Sequence, residues 1–230
     1  MNDWQPIPKP AELAESRLLQ AILDGDFPVQ SSLPAERELA AQIGVTRPTL
    51  REALQRLARD GWLDIQQGKP TRVRDYWREG NLGILARLAQ SPANQPSNFI
   101  DQLLEVRLLL APEYTRQAVE QCPGDVAAFL QQSGELNESP AEFARFDWGL
   151  HRSMTQLAVN PIYRLLLNSF HSLYITLGEH YFTFDECRRH SRTYYAALLD
   201  CARQQSAADA EALTRQTMSE SRLLWRRLQI

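Results

Sequence analysis

The sequence predicts a mainly α-helical protein with one short β-hairpin close to residue 70. Two patterns support this prediction: apolar residues recur at intervals of three and four along most of the 230 residues, and the period changes to two only between residues 62 and 74. Proline and glycine mark the ends of the helical segments. Hydrophobic residues make up 43% of the chain and charged residues 23%, which is typical of a globular protein long enough for two domains.

The first part of the chain predicts three helices. Apolar side chains form a stripe along residues 11–23, and Pro34 begins a second helix that extends to about Ile43. Thr46 is the predicted N-cap of a third helix, which ends at Gly61. A turn-rich stretch over residues 24–33 separates the first two helices, and Gly44 can supply the tight turn between the second and the third.

The hairpin follows the third helix directly. Residues 62–66 and 71–74 have the period of strands, and the turn between them contains glycine and proline. Three helices and a hairpin in this order make a winged helix-turn-helix, an architecture that places its recognition helix in the major groove of DNA.

The rest of the chain predicts helices alone, over residues 82–90, 99–121, 126–132, 141–159, 161–181, 186–204 and 207–228. The predicted fold is therefore mainly α, with an N-terminal winged helix-turn-helix followed by an all-α bundle of about seven helices. The predicted divisions are a DNA-binding domain over residues 1–75, a linker over 76–81, and an all-α domain over 82–230. The periodicity of this last domain is compatible with a dimerisation block, an enzyme or a ligand pocket, and the family resemblance described below implies a ligand-binding and regulatory domain.

The charge of the chain is distributed unevenly. The net charge is −3, but residues 33–74 carry eight basic and five acidic side chains, whereas the remainder carries 17 basic and 23 acidic ones. A basic segment in an acidic protein indicates a localised contact with a polyanion, because phosphate binding needs positive charge on one face only.

Several classes of protein are disfavoured by the sequence. No apolar run is long enough to cross a bilayer, and the first residues lack the basic and apolar regions of a signal peptide, so we expect a cytoplasmic protein without a membrane partner. The three cysteines, Cys122, Cys187 and Cys201, are widely spaced, which is typical of ordinary thiols in a reducing compartment.

The candidate DNA-binding residues lie at the start of the third helix and in the hairpin. Arginine side chains in the first turns of a recognition helix reach base edges, and threonine hydroxyls reach phosphates. A glycine in the wing permits close approach of the backbone to DNA, and a lysine beside it reaches the minor groove or a phosphate. The alternative, a solvated helix face, is disfavoured by the helix, turn, helix and wing occurring in register. The candidates are Arg37, Thr46, Arg47, Thr49, Arg51, Gly68 and Lys69.

Residues 33–40, 44–47 and 50–54 resemble the DNA-binding domain of the GntR family. More narrowly, residues 44–71, and again residues 160–163 and 178–182, resemble the FadR group of fatty acid regulators within that family. Pro48 and Gln67 depart from the FadR pattern, which has threonine and histidine there, so the operator sequence does not follow from the resemblance.

The resemblance implies a homodimer that binds a palindromic operator in double-stranded DNA and is released by a long-chain acyl-CoA, with no cofactor. It further implies repression of fatty acid degradation genes and activation of unsaturated fatty acid synthesis genes. The implied ligand-proximal residues are Arg107, suited to a phosphate, Tyr174, Tyr181, Ser221 and Trp225, which can pack on the ligand. The implied apolar tunnel takes side chains from Phe99, Leu103, Leu104, Val106, Leu108, Leu166, Phe170, Leu173 and Leu177.

Asp147 and His151 are the weak candidates for a metal site. A carboxylate and an imidazole four residues apart share one face of a helix and can both reach one divalent cation. Relatives with such a pair use two later histidines as well, which we expect near Tyr194 and residues 218–221, where this chain has none. The sequence therefore favours no metal, with Asp147 and His151 as a buried hydrogen-bonded pair.

Three other functions remain open at this point. A GntR-type metal-dependent regulator that responds to a small organic or sugar acid would need the metal site completed. A metal-dependent hydrolase using the same two residues would need a nucleophile or an oxyanion-hole motif, which the sequence does not supply. A DNA-binding dimer without a ligand would show no effect of ligand on DNA affinity.

Overall fold

The structure, a computed structural model, describes residues 9–89 and 96–228. Parts of the predicted domains and the last residue of the predicted helix 82–90 lie outside these described residues. Within them the chain forms the helices α1 Pro10–Leu23, α2 Glu36–Ile43, α3 Arg47–Arg59, α4 Tyr76–Glu79, α5 Gly83–Ala89, α6 Phe99–Gln121, α7 Pro123–Gln131, α8 Pro140–Leu157, α9 Ile162–Asn168, α10 His171–Tyr181, α11 Asp185–Arg203 and α12 Ala207–Leu228. The strands β1 Leu63–Asp64 and β2 Arg72–Val73 make one antiparallel pair, and a 3-10 helix, Gln132–Glu135, follows α7.

The chain divides into a unit up to residue 95 and a unit from residue 96 onward. In the first unit, α1 packs on α3 over a core that includes Leu18, Leu50 and Leu57. Gly44 ends α2 with a φ of 76°, a left-handed conformation that glycine adopts without steric cost. The fully buried Leu63 pairs with Val73 in the wing. The predicted winged helix-turn-helix is confirmed.

The predicted linker, residues 76–81, contains the short helix α4. The ring of Tyr76 packs on Trp62 with centroids 4.9 Å apart, and Arg87 of α5 donates to Glu15 of α1 at 2.9 Å. These contacts place α4 and α5 in the N-terminal unit, while the domain boundaries at residues 75 and 81 stay predictions.

The second unit contains the seven helices α6–α12 within the described residues, so the predicted all-α bundle is confirmed. Its central helix, α6, packs against α12 and α8. The predicted helix over residues 161–181 is wrong in one respect, because it is two helices separated at Ser169 and Phe170. The backbone N–H groups of Ser169 and Phe170 donate to the carbonyls three residues before them at 3.2 and 2.9 Å, so the α-helical bonding pattern is interrupted there. None of the described helices is long and apolar enough to span a membrane.

Candidate functional site

The first candidate surface is the start of the recognition helix α3. Thr46 is its N-cap, as predicted, and its hydroxyl accepts from the backbone N–H of Thr49 at 3.4 Å. The Arg47 and Arg51 side chains are 57% and 61% exposed. Since both arginines lie in the first two turns, the positive end of the helix dipole adds to their charge. This surface suits a polyanion.

The wing offers a second set of exposed groups in the same unit. Gly68 has a φ of 76° at the wing turn, and Lys69 beside it donates to the Gln66 side chain at 2.9 Å. Arg37 is exposed near the start of α2. Ile65 and Thr71, at the base of the wing, line a hollow together with Arg51 of the recognition helix. The recognition helix and the base of the wing are thus adjacent.

A carboxylate accompanies these cations, which the sequence analysis did not single out. Glu36, the first residue of α2, accepts from Arg51 Nε at 2.7 Å and lies 3.8 Å from Arg47 Nη2. The two helices of the helix-turn-helix motif are therefore joined at their N-terminal ends by this ion pair. No local sequence signal connects positions 36 and 51, because the contact depends on how α2 packs on α3.

The second candidate site is a pocket inside the C-terminal unit, with a volume of about 130 Å³. All five predicted ligand-proximal residues line it. Seven of the nine predicted tunnel residues line it as well, whereas Phe99 and Leu108 do not. Leu110, Tyr114, Tyr163 and Leu167 also line it, and the sequence analysis missed them. Most of the wall is apolar, and a few polar groups lie at one part of it: Arg107, Tyr114, Asp147, Tyr174, Tyr181 and Ser221.

Asp147 of α8 is the centre of the polar part. Its Oδ2 accepts from the Tyr174 hydroxyl at 2.5 Å and from Arg107 Nη2 at 3.3 Å, and its Oδ1 accepts from the Tyr195 hydroxyl at 2.8 Å. Burial raises the pKa of this carboxyl, but the positive charge of Arg107 and the hydrogen bonds outweigh that effect and hold the pKa below its usual value. Asp147 is therefore ionised inside the bundle.

His151 is a neutral part of the same cluster. Arg107 Nη2 lies 2.8 Å from His151 Nε2. Since a guanidinium only donates, Nε2 must be the acceptor, and Nδ1 carries the proton and donates to the Tyr114 hydroxyl at 2.7 Å. Burial and the charge of Arg107 lower the pKa of His151 to about 3. Asp147 and His151 are buried on one helix face, as predicted, but they do not hydrogen-bond each other: His151 Nε2 and Asp147 Oδ2 lie 4.0 Å apart, and both accept from Arg107 Nη2.

Two polar atoms of the pocket lack partners among the described residues. These are Arg107 Nε, a donor, and the Tyr181 hydroxyl, which makes no hydrogen bond of good geometry although the Ser221 hydroxyl and the Cys187 thiol lie near it. Burial raises the pKa of this phenol, so it remains protonated. The Tyr181 ring stacks on Trp225 with centroids 6.3 Å apart and an angle of 13°. A buried donor without an acceptor is costly, so these two atoms mark the place where a polar group of a ligand would be bound.

Tyr114 and Tyr195 complete the cluster and were absent from the predicted site. Tyr114 follows Arg107 by seven residues and therefore lies on the same face of α6, which is a signal that the sequence did contain. Tyr195 gives no such signal, because its contact with Asp147 joins α11 to α8.

Comparison with known families agrees with this geometry. Residues 10–73 match the family described as bacterial regulatory proteins, gntR family, and residues 74–230 match the FadR C-terminal domain. The chain belongs to the FadR group of the GntR family. GntR proteins of this group are DNA-binding transcription factors and not enzymes, so this chain is a transcriptional regulator.

Individual relatives cover nearly the whole chain. It is 40% identical over 219 residues to the fatty acid metabolism regulator protein of Shewanella halifaxensis (strain HAW-EB4), covering 95% of this chain and 92% of the relative. It is 42% identical to the protein of the same name from Erwinia tasmaniensis (strain DSM 17950 / CFBP 7177 / CIP 109463 / NCPPB 4357 / Et1/99), covering 83% and 80%. A solved structure of Lar, which controls the expression of the Listeria monocytogenes agr system, has a TM-score of 0.65 at 16% identity, covering 97% of this chain and 100% of that one. That likeness concerns the fold alone.

Proposed function

We propose that this protein is a regulator of fatty acid metabolism that a long-chain acyl-CoA releases from operator DNA. The observation that carries the proposal is the pocket, which has an apolar wall and a buried donor without a partner, Arg107 Nε, together with the Tyr181 hydroxyl. An acyl chain fits such a wall, and a thioester or amide carbonyl accepts from such donors. The FadR relatives named above support the class of ligand.

The seven candidate residues of the winged helix, which are exposed or half-exposed, would make the contacts with bases and phosphates. Arg47 and Arg51 would read base edges, and Lys69 would contact the minor groove or a phosphate. The protein would act as a cytoplasmic homodimer on a palindromic operator, repressing degradation genes and activating synthesis genes of unsaturated fatty acids. These roles follow from the family and are testable one residue at a time.

The size of the pocket supports a conformational response. A volume of about 130 Å³ is smaller than the roughly 300–1,000 Å³ of pockets that enclose a drug-sized ligand, so a long chain must displace lining side chains. A ligand that binds only an expanded bundle shifts the population toward that state. Ligand and DNA then oppose each other if the expanded state holds the recognition helices at the wrong spacing.

The family resemblance suggested that Arg107 binds a phosphate of the ligand, but in the structure its guanidinium already has partners within the protein. Its guanidinium is largely buried and contacts Asp147 and His151, so a phosphate of coenzyme A would have to displace an internal carboxylate. We therefore assign Arg107 to the inner part of the site, where it meets the acyl or thioester end of the ligand.

The alternative of a metal-dependent regulator of a small acid has weaker support. The atoms that would coordinate the cation, Asp147 Oδ2 and His151 Nε2, both face Arg107 Nη2 at 3.3 and 2.8 Å. A cation between them would lie against a guanidinium, and electrostatic repulsion would oppose its binding. Elemental analysis of the purified protein decides between the two proposals, because stoichiometric zinc or nickel would support the metal site.

The direct test is fluorescence anisotropy of a labelled duplex that the protein itself selects from a randomised library. Protein is bound at fixed salt and then challenged with oleoyl-CoA, free coenzyme A or oleate. We expect release by the thioester at micromolar concentration and none by coenzyme A. Binding that ignores oleoyl-CoA would contradict the ligand assignment while leaving the DNA-binding assignment intact.

A matched pair of variants connects this response to the pocket. Leu166 lines the pocket, whereas its neighbour Leu165 is 62% exposed on the same helix. Leu166→Trp fills the cavity and is expected to weaken the response to oleoyl-CoA at least tenfold without changing DNA affinity in its absence. Leu165→Trp is expected to leave both unchanged, and an equal response of the two variants would place the ligand elsewhere.

A further inference from the structure

Glu36 places a negative charge among the side chains proposed to bind DNA. Its Oε2 accepts from Arg51 Nε at 2.7 Å and lies 3.8 Å from Arg47 Nη2. The Glu36 side chain is 34% exposed, so solvent reaches the carboxylate at the surface where the phosphates and bases would approach.

Stability of the fold does not account for this arrangement. Ion pairs between side chains as exposed as these contribute little to folding, because water and salt screen them. A carboxylate at this position also repels the phosphates of any duplex, which is unfavourable for a surface that binds DNA. The contact therefore needs an explanation in terms of how DNA is recognised.

The geometry of the arginine supplies one. The bond from Nε to Glu36 leaves the two terminal Nη groups of Arg51 as a fork directed away from the carboxylate. Such a fork fits the O6 and N7 atoms of guanine with two parallel hydrogen bonds. The same fork can also bind a phosphate with two bonds, but the negative charge of Glu36 repels a phosphate more than it repels an uncharged base edge.

We infer that Glu36 is a positioning residue that sets the sequence selectivity of this DNA surface. It holds Arg51 ready for a base contact, and its charge disfavours binding to duplexes that offer only phosphates. The inference rests on the proposed DNA-binding role of Arg47 and Arg51.

The test compares Glu36→Gln with Glu38→Gln in the full-length protein. Glu38 is exposed on the same helix, so its variant removes the same charge two residues away. The probes are a pool of random duplexes of about 20 base pairs, two helical turns, and the duplex that the wild-type protein enriches from that pool. Dissociation constants are measured by anisotropy over a series of salt concentrations.

We expect Glu36→Gln to bind the random pool about tenfold more tightly, with a salt slope steeper by about one charge, and to lose about tenfold in the ratio of selected to random affinity. We expect Glu38→Gln to change that ratio less than twofold. An unchanged ratio for Glu36→Gln, or an equal loss of affinity for both probes, would overturn the inference.

The variant Arg51→Ala tests the proposed DNA-binding role of this arginine separately from the role of Glu36. If Arg51→Ala weakens binding to the selected duplex and Glu36→Gln leaves the ratio unchanged, only the role of Glu36 is wrong. If Arg51→Ala has no effect on either probe, the recognition role of the arginine is wrong and the inference fails with it.

Discussion

The ion pair between Arg107 and Asp147 holds the most deeply buried carboxylate among the ion pairs described in the C-terminal unit. Their atoms lie 3.3 Å apart, and the side chains are 22% and 7% exposed. At an effective dielectric constant of about 20, Coulomb's law gives about 5 kcal/mol for unit charges at this distance. The charges are delocalised over both groups, so we expect a coupling free energy of about 3 kcal/mol.

The perturbation is a double-mutant cycle of Arg107→Met and Asp147→Asn. Asparagine still hydrogen-bonds with the hydroxyls of Tyr174 and Tyr195, so Asp147→Asn mainly removes charge and leaves the buried guanidinium unpaired. Removal of one partner from a buried pair costs about 3–5 kcal/mol. The double variant is expected to be more stable than the sum of the two losses predicts.

The assay is urea unfolding, with hydrogen exchange of a peptide from α8 to assign the transition to the C-terminal unit. The matched control is the exposed pair Arg116 and Glu120, whose atoms lie 2.9 Å apart with side chains 30% and 50% exposed. Its cycle should give less than about 1 kcal/mol. The reasoning is refuted if the coupling between Arg107 and Asp147 is no larger than that of the control.

Three further predictions concern single side chains. Because the pKa of His151 falls from 6.5 to about 3 on folding, the unfolded chain binds the extra proton between these values, and stability decreases as the pH falls through that range. Between pH 6 and pH 4.5, His151→Gln should reduce the slope of the free energy of unfolding against pH, measured in urea, by about 1.4 kcal/mol per pH unit. An unchanged slope would mean that His151 is charged in the folded protein. Tyr181→Phe removes a hydroxyl that makes no hydrogen bond of good geometry, although Ser221 and Cys187 lie near it, so the free energy of unfolding should change by less than about 1 kcal/mol. Oleoyl-CoA should bind several-fold more weakly in a calorimetric titration, and unaltered binding would exclude this hydroxyl from the site. Thr46→Ala removes the cap of α3 and should destabilise the N-terminal unit by about 1 kcal/mol in urea, whereas no loss would show that the cap is not made in solution.

The helices and their order could be predicted from the sequence because helix formation is governed by neighbours three and four residues apart. The hairpin, the Thr46 cap and the turn at Gly44 are local features of the same kind. There are two exceptions: the short helix α4 lies in the segment predicted as a linker, and the segment 161–181 is interrupted at Ser169 and Phe170 although its apolar periodicity continues. The backbone hydrogen bonds change to a spacing of three residues at this break, and apolar periodicity does not record that change.

The residues of the candidate site that belong to a local motif or to the family resemblance could be predicted from the sequence. The five ligand-proximal residues were identified in this way, and the pocket brings all five together. The hydrogen-bond partners of Arg107, Asp147 and His151, and the Tyr174 ring beneath its guanidinium were not identified as its contacts, because they lie on other helices. Nor was Glu36 identified as the partner of Arg51.

By itself, the sequence determined that a winged helix-turn-helix is followed by an all-α bundle, and it determined the family. It also determined that Asp147 and His151 lie on one face of α8. Only the tertiary structure decided that this pair meets a guanidinium from α6 and hydroxyls from α10 and α11, with the histidine held neutral. The physical reason is that periodicity fixes which face of each helix is buried, while the contact between two buried faces depends on how the helices pack. The charge state of a buried group depends in turn on those contacts.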